Sequence, residues 1–587
     1  MNKTEKIICL LLGGVLAWYL FFGVGNKKSE NAVEVVRAAA AVTNAVPASA
    51  AVKAADAAPV PAPEEPKAAS PAVPERKVTL ENDELKLELS SWGAVVKKAV
   101  LKKYAGERGE ISQSNPALEF DFSSSPLGEL GGMRNLAPNT PYEIRDISSN
   151  SVVFVNAAAT RKIMLESGYL VTYEETFHKD VGALPETAAP VTLSLGVMGI
   201  GASKNGMLSV DSWAKDAGKG KEGVVHHCET GPLEGWLVGG AAGGCGGSKS
   251  AQNIPLRQNV DYPGAQKWVA LKNRFFVTAL CSSTEENAGF SATIARDPGS
   301  AEYRPQSISS RALFRNVGEK RTSVFFIGPK KQSLLWDLGM RDVMEFGMWR
   351  WLCYPIVWSL NFFNSYIPGF GIAIILLTIL VRIIFWPLTH KSTVGMKKMQ
   401  EIQPLMKEIH ARYKDNPQRM QQETFALYRE HKVNPMSSCL PMLIQIPVFI
   451  ALFNVLRSAV ELRYAPFLWI GDLSEPEGLF ASWFPFGGLN ILPILMAATM
   501  ALQSALTPST GDKNQQRMMM VMMPVMMLFM FYSFPSALSL YWTLSQVLSI
   551  VQMWMIRRKI AAEKKVSAAI VPEVIDSPQT RQMRRHG

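Results

Sequence analysis

The sequence predicts an α-helical membrane protein with six spanning helices, five of them forming a C-terminal core, plus a large antiparallel β-sandwich outside the bilayer. Three observations predict it. Apolar runs long enough to cross a hydrocarbon slab cluster at Ile7–Val24 and after Phe346. Between them, residues 76–329 show the two-residue alternation of half-buried strands, as in Leu85-Lys86-Leu87-Glu88-Leu89. Within one apolar run, Gly371 to Leu388, stands a single charge, Arg382.

The chain has 587 residues, 48% hydrophobic, and a formal net charge of +11. Such a charge could indicate a nucleic-acid partner. Much of it instead borders the apolar runs, where it sets topology and attracts anionic lipid or ribosomal RNA.

Lys3 and Lys6 precede the uncharged run Ile7–Val24, and no small-residue cleavage site follows at Gly25-Asn26-Lys27. An uncleaved anchor with a cytoplasmic N-terminus is expected. The competing reading is a signal peptide cleaved much further on, near Ala48–Ala50. Cys9 reads as a small buried hydrophobe. Ser29–Glu75 is Ala, Pro and Val without aromatics, hence a linker partly extended by its prolines.

Strands are expected at Ser151–Val155, Leu170–Phe177, Val191–Val197, Lys267–Leu280, Phe290–Ala295, Ala312–Phe314 and Ser323–Ile327, separated by turn residues with no long helical pattern between them. The glycine-rich run Gly239–Gly247 lacks the Gly-Lys-Ser/Thr that would reach phosphates, so it reads as a loop. His226, His227 and Cys228, with Cys245, do not make a metal site: adjacent histidines on a strand face opposite ways, and no Cys-x-x-Cys accompanies them. Cys228 and Cys245 could pair if the domain is outside the cytoplasm, leaving Cys281 over; sequence leaves that open.

Phe346–Ile367 is rich in Trp, Tyr and Phe but contains Arg350, Pro355, Asn361 and Asn364. If it spanned, the most basic loop of the chain would fall outside, against the positive-inside rule. An amphipathic helix lying in the interface fits better. The Arg382 helix then runs from outside to inside and is expected to end near Pro387. Thr389–Pro435 becomes a cytoplasmic basic hairpin, bent near Pro404 and turned at Asp415-Asn416-Pro417. Spans follow at Ser437–Val460 and Leu489–Leu506, and Pro535-Ser536 splits Met518–Ile556 into two more, the last stopped by Arg557-Arg558-Lys559.

A guanidinium keeps its proton, and at mid-membrane it costs roughly 3 kcal/mol on insertion scales. Arg382 is therefore expected to face a wet cavity between helices; the alternative is a side chain snorkelling past the nearby helix end. The methionines of Met518–Met530 read first as lipid or core packing, and second as an adaptable surface for varied apolar segments.

Ile379-Leu380-Val381-Arg382, Trp386-Pro387-Leu388-Thr389, Val433-Asn434-Pro435, Pro441 through Phe449, Val460-Glu461-Leu462-Arg463, Phe534-Pro535-Ser536-Ala537-Leu538 and Leu540-Tyr541-Trp542 together resemble the YidC/Oxa1/Alb3 membrane-protein insertases over residues 346–556. The anchor, the linker and a β-domain with Trp268-Val269-Ala270 and Phe326-Ile327-Gly328-Pro329 resemble the Gram-negative bacterial form. The resemblance implies a periplasmic β-supersandwich and a five-helix core whose hydrophilic groove opens to cytoplasm and lipid. It implies Arg382 as the groove arginine, a polar groove role for Thr378 and substrate contact around Tyr541. Trp542 stands where a second tyrosine is often found, so no hydroxyl role transfers to it. Gln445 and Gln503 are added as groove candidates from their place inside apolar spans, and Lys397, Lys398, Arg412, Arg419, Arg557, Arg558 and Lys559 as contacts to ribosome or lipid.

The expected domains are an anchor (1–25), a linker (26–76), the β-sandwich (77–335), an interfacial helix (336–368), the arginine helix (369–388), the basic hairpin (389–435), four spanning helices (436–556) and a basic tail (557–587). The expected setting is the bacterial inner membrane, with both termini cytoplasmic and the sandwich periplasmic. Expected partners are nascent membrane proteins, the Sec translocon, the ribosome and the phospholipid bilayer, with no cofactor and no catalysis. Three rivals remain: an accessory chaperone without insertase activity of its own, a solute transporter, and a membrane-anchored sugar-binding or sugar-modifying protein. No inverted repeat supports the second, and no convincing carboxylate pair the third.

Overall fold

The computed structural model describes residues 74–104, 120–133, 136–178, 190–199, 208–214, 224–229, 257–296, 305–433, 440–480, 488–506 and 513–575. The expected anchor, the linker, the glycine run and Cys245 lie outside them.

Alternation in the sequence becomes two antiparallel sheets. The first has eight strands, in spatial order Lys77–Glu81, Leu85–Ser90, Val95–Leu101, Leu127–Gly131, Val191–Gly199, Pro305–Phe314, Asn287–Arg296 and Arg257–Pro263. The second has nine: Val224–Glu229, Ser209–Ala214, Gln266–Lys272, Phe276–Ser283, Lys320–Pro329, Leu170–Phe177, Ala159–Leu165, Ser151–Val155 and Glu143–Ile147. Leu85, Leu87 and Leu89 are all fully buried while Lys86 is exposed, so each such leucine contributes about 2 kcal/mol of burial. Register follows the pattern: Leu80 faces Leu87, which faces Ala99 on its other side.

A buried ion triad joins the sheets. Glu175 accepts from Arg161 Nε at 2.9 Å and from Arg321 Nε at 2.7 Å. Arg161, in the second sheet, also donates to the carbonyls of Gly93 and Gly128 at 2.5 Å, reaching the first sheet. Burial alone would raise the Glu175 pKa, but the two guanidiniums outweigh it and hold the carboxyl below its ordinary value.

The expected single strand Lys267–Leu280 is instead a tight hairpin. Asn273 makes the turn: its Oδ1 accepts from the backbone N–H of Phe275 at 3.0 Å and of Phe276 at 2.8 Å. His226 and His227 occupy consecutive register positions, opposite Ser212 and Asp211. Among the described residues no group of three or more His, Cys, Asp or Glu is placed to hold a metal, and Cys281 and Cys353 are free thiols.

The helical region comprises α1 (Gln332–Asp337), α2 (Arg350–Tyr366), α3 (Phe370–Glu401), α4 (Gln403–Arg412), α5 (Pro417–Glu430), α6 (Leu440–Ser458), α7 (Ile491–Leu506), α8 (Lys513–Phe531) and α9 (Ser536–Ile575). On α2, Cys353, Ile356, Val357 and Leu360 are buried while Trp351, Trp358, Phe362 and Tyr366 are exposed, an apolar outer face in keeping with a helix that lies in an interface. The break after Glu401, the turn at Asn416, whose side chain caps α5 by accepting from Arg419 N–H at 3.1 Å, and the break at Pro535 all fall where expected.

Two helix ends do not. Pro387 lies inside α3, which continues to Glu401. Pro387 has no N–H to offer the Ile383 carbonyl, but one missing bond does not end a long apolar helix whose remaining ladder and packing hold it. Likewise α9 continues past Arg557-Arg558-Lys559 to Ile575, because charge ends an apolar segment without ending a helix rich in Ala, Lys and Glu. Among the described residues one helix is both long and apolar enough to cross a membrane, at Phe370–Met396. Shorter apolar helices occupy Gln445–Ser458, Ile491–Leu506 and Met520–Phe531. Helix α9 has the length, but its Ser, Thr, Gln and Tyr residues dilute its hydropathy.

Candidate functional site

Helix α3 packs one stripe inward. Ala373, Ile374, Leu377 and Thr378 are buried, whereas Ile379, Ile383 and Ile384 are exposed. Arg382 lies one turn beyond Thr378 and so continues the inward stripe. Its Nη2 donates to both the carbonyl and the hydroxyl of Ser545 on α9, each at 2.5 Å. The guanidinium is thus turned onto α9 and is half-exposed. Two oxygen dipoles offset part of the cost of holding a cation there.

Around this contact α9 presents a polar strip. Tyr541, Ser545, Gln546 and Gln552 are all buried. Tyr541 sits one turn before Ser545 on the same face. From α7, Thr499 Oγ1 donates to Gln546 Oε1 at 2.8 Å. Ser545, Gln546, Thr499 and Gln552 were not among the residues expected from sequence. The two amides carried a signal, since strongly polar groups inside apolar helices mark functional interiors, while the two hydroxyls, which can bond back into their own helix, carried little.

The expected site residues separate into groups. Arg382 and Tyr541 face the same strip. Thr378 is fully buried, and its hydroxyl donates back to the Ile374 carbonyl at 2.6 Å, so it lines no open surface. Trp542 points elsewhere, edge-on to Phe449 with ring centroids 4.9 Å apart and 5.5 Å from Phe531, between α6 and α8. Gln445 and Gln503 are half-buried on α6 and α7. On α8, Val521, Met522, Val525, Met526 and Phe529 form an exposed apolar face.

The basic candidates lie apart from the strip. Lys398, Arg412 and Arg419 are exposed on the α3–α5 segment, which has a small core of its own in Met399, Ile402, Leu427 and Val433. Arg557 is engaged, donating to the carbonyl of Leu506 at the end of α7, and Arg558 stacks over Trp554 at 4.6 Å. The side chains of Lys397 and Lys559 lie outside the described residues.

The sandwich is fastened to the helical region at the C-terminal end of α6 and the loop that follows it. Arg274, at the hairpin tip, donates to the Arg457 carbonyl (2.7 Å), to Glu475 Oε1 (2.7 Å) and to the Ser474 carbonyl (2.5 Å). Arg463 lies 4.8 Å over the rings of Phe275 and Phe276. Nearby, Lys272 pairs with Asp211 and, at 2.5 Å, with Glu345 in the connector to α2.

Residues 362–564 match the family described as 60Kd inner membrane protein, and residues 248–359 match the YidC periplasmic domain. The chain is 42% identical over 299 residues to a protein of Syntrophobacter fumaroxidans named membrane protein insertase YidC, covering 50% of this chain and 53% of that one. It is 30% identical over 527 residues to the protein of that name from Chlorobaculum parvum, covering 86% of each. The chain therefore spans about half the length of several curated relatives and most of the length of others. A solved structure titled as an active YidC insertase with its first transmembrane domain resolved is 17% identical, with a TM-score of 0.34, over 82% of this chain and 92% of that one.

Proposed function

Since the chain belongs to the YidC/Oxa1 family of membrane proteins, we propose that it inserts integral membrane proteins into a bacterial inner membrane and helps them fold there. The observation that carries this reading is Arg382 turned inward onto Ser545, at the head of a polar strip inside an apolar bundle. A client must carry a short polar tail across a slab in which each unpaired polar group costs several kcal/mol. A polar, hydrated interior shortens that slab, and Arg382 attracts acidic residues of the tail. The apolar segment then leaves sideways into lipid, so hydrophobic burial and the membrane potential drive the step. No chemical bond is made or broken.

In this reading six helices span: Ile7–Val24 and five drawn from α3 and α6–α9, with α2 in the outer interface and both termini cytoplasmic. Arg382, Tyr541, Gln445 and Gln503 form the groove, and Thr378 and Trp542 support it from the packing between helices. Ser545 and Gln546 join them. Lys398, Arg412, Arg419 and Arg558 meet the ribosome or the anionic inner leaflet, and the Sec translocon is a further partner.

The test is protease-protected insertion of a small single-span client into liposomes, with and without the purified protein and without ATP. A rise in protection with the protein supports insertion. No rise for several clients turns the assignment to an accessory chaperone that needs a translocon.

A further inference from the structure

Between α6 and α7 the chain makes a two-residue hairpin. Phe467 and Ile470 exchange both main-chain hydrogen bonds, each 2.9 Å, around Leu468 and Trp469. Its first corner lies at φ 53°, a conformation that suits glycine, yet the residue is Leu468. That leucine is 75% exposed. A strained leucine displayed to solvent has no packing reason to be there, and strain of this kind points to a function for the exposed side chain.

The hairpin is held rigidly beneath its tip. Phe467 lies so close over the first turn of α3 that a Cβ on Gly371 would come within 2.1 Å of its ring. The Trp469 indole donates to Glu477 Oε2 at 2.8 Å, and Glu477 also accepts from the N–H groups of Ile491 and Leu492 at the start of α7. Phe467-Leu468-Trp469-Ile470-Gly471 carries no charge. Tyr366 and Ile367, just before α3, are likewise exposed. An uncharged patch thus rings the outer end of the helix whose Ile379, Ile383 and Ile384 are also exposed.

We propose that Leu468 and Trp469 form a foot that seats in the outer leaflet of the phospholipid bilayer, at the boundary between headgroups and acyl chains. The leucine enters the acyl region. The tryptophan, its N–H already satisfied by Glu477, presents its apolar body at headgroup depth. The foot fixes the depth of α3, and with it the depth of Arg382. Continuity with the exposed apolar face of α3 selects lipid over a protein partner. The inference rests on the reading of α3 as bilayer-spanning.

The test places a photoreactive benzophenone side chain singly at positions 468, 383 and 147 of the full chain, reconstituted in phosphatidylethanolamine and phosphatidylglycerol liposomes; adducts are identified by mass spectrometry. Position 383 lies on the exposed face of α3 and position 147 on the edge strand of the sandwich. Lipid adducts at 468 are expected to approach the yield at 383 and to exceed that at 147 at least about tenfold, as burial in the interface would give. The same probe at position 469 repeats the test should the change at 468 disturb the turn. Adducts at 383 but at neither tip position overturn the foot and leave the spanning reading intact, as do tip adducts to added client rather than to lipid. Absence of lipid adducts at 383 overturns the spanning reading and the foot with it.

Discussion

Arg382 and Ser545 lie 163 residues apart in the chain and meet at 2.5 Å through both oxygens of the serine. One contact thus joins α3 to α9 and aims a half-exposed cation along the polar strip. Arg382→Ala is expected to lower insertion of a client with an acidic tail roughly tenfold, the equivalent of about 1.4 kcal/mol. Arg382→Lys should recover part of this, since charge is kept while the fork is lost. Ser545→Ala keeps the carbonyl acceptor and should cost less than about threefold. Protease-protected client in liposomes measures all three; equal insertion by wild type and Arg382→Ala would leave hydration alone to explain the groove.

Gly371 is expected to tolerate no side chain. Gly371→Ala drives a methyl into the Phe467 ring and should cost about 1–3 kcal/mol by overpacking. The pair Gly371→Ala with Phe467→Ala should cost less than the sum of the single changes. Thermal unfolding of the four proteins in detergent closes this cycle, and additive effects would mean the two residues do not touch.

Arg274→Ala should loosen the sandwich from the helices. It removes three hydrogen bonds and leaves the carbonyls of Arg457 and Ser474 without them, for an expected loss of about 3 kcal/mol. Deuterium exchange should accelerate at 273–276 and 474–475 together. Acceleration of the hairpin alone would place the loss within the sandwich.

Lys330 gives the fold a pH dependence. Burial, then repulsion from Lys272, lowers its pKa from 10.5 to about 8, although Asp211 and Glu345 pull the other way and Arg274 adds to the lowering. Between pH 8 and 10.5 the unfolded chain therefore binds more protons than the folded one at this site, and its contribution to stability rises with pH across that window. Lys330→Met should raise the unfolding midpoint at neutral pH by a few degrees, on the order of 1–2 kcal/mol, and flatten the rise. A midpoint that falls instead would mean that the bond from Lys330 Nζ to the Asn273 carbonyl, at 3.2 Å, outweighs the desolvation.

Period and punctuation made much of the architecture legible. Leu85, Leu87 and Leu89 announced a buried strand face, and Asn416-Pro417 and Pro535-Ser536 announced helix boundaries. The hairpin was hidden because Lys272-Asn273-Arg274 lacks the Asn-Gly or Asp-Gly signature of a tight turn, so the apolar runs on either side read as one strand. Pro387 misled because a proline ends short helices in water more readily than a long apolar helix packed against its neighbours. Within the candidate site, Arg382 was singled out by its charge alone. Its partner could not be, because Ser545 is chosen by tertiary packing, and a serine in a helix carries little signal of its own.

The fastening at Arg274 also orders events in time. Arg274 emerges from the ribosome 183 residues before Arg457 and 201 before Glu475, its partners at the end of α6 and in the loop beyond it. Domains fold as they are made, N-terminal parts first. Under the proposed topology, the hairpin that carries the arginine is synthesised before the segments it binds, which makes the sandwich a template for their docking.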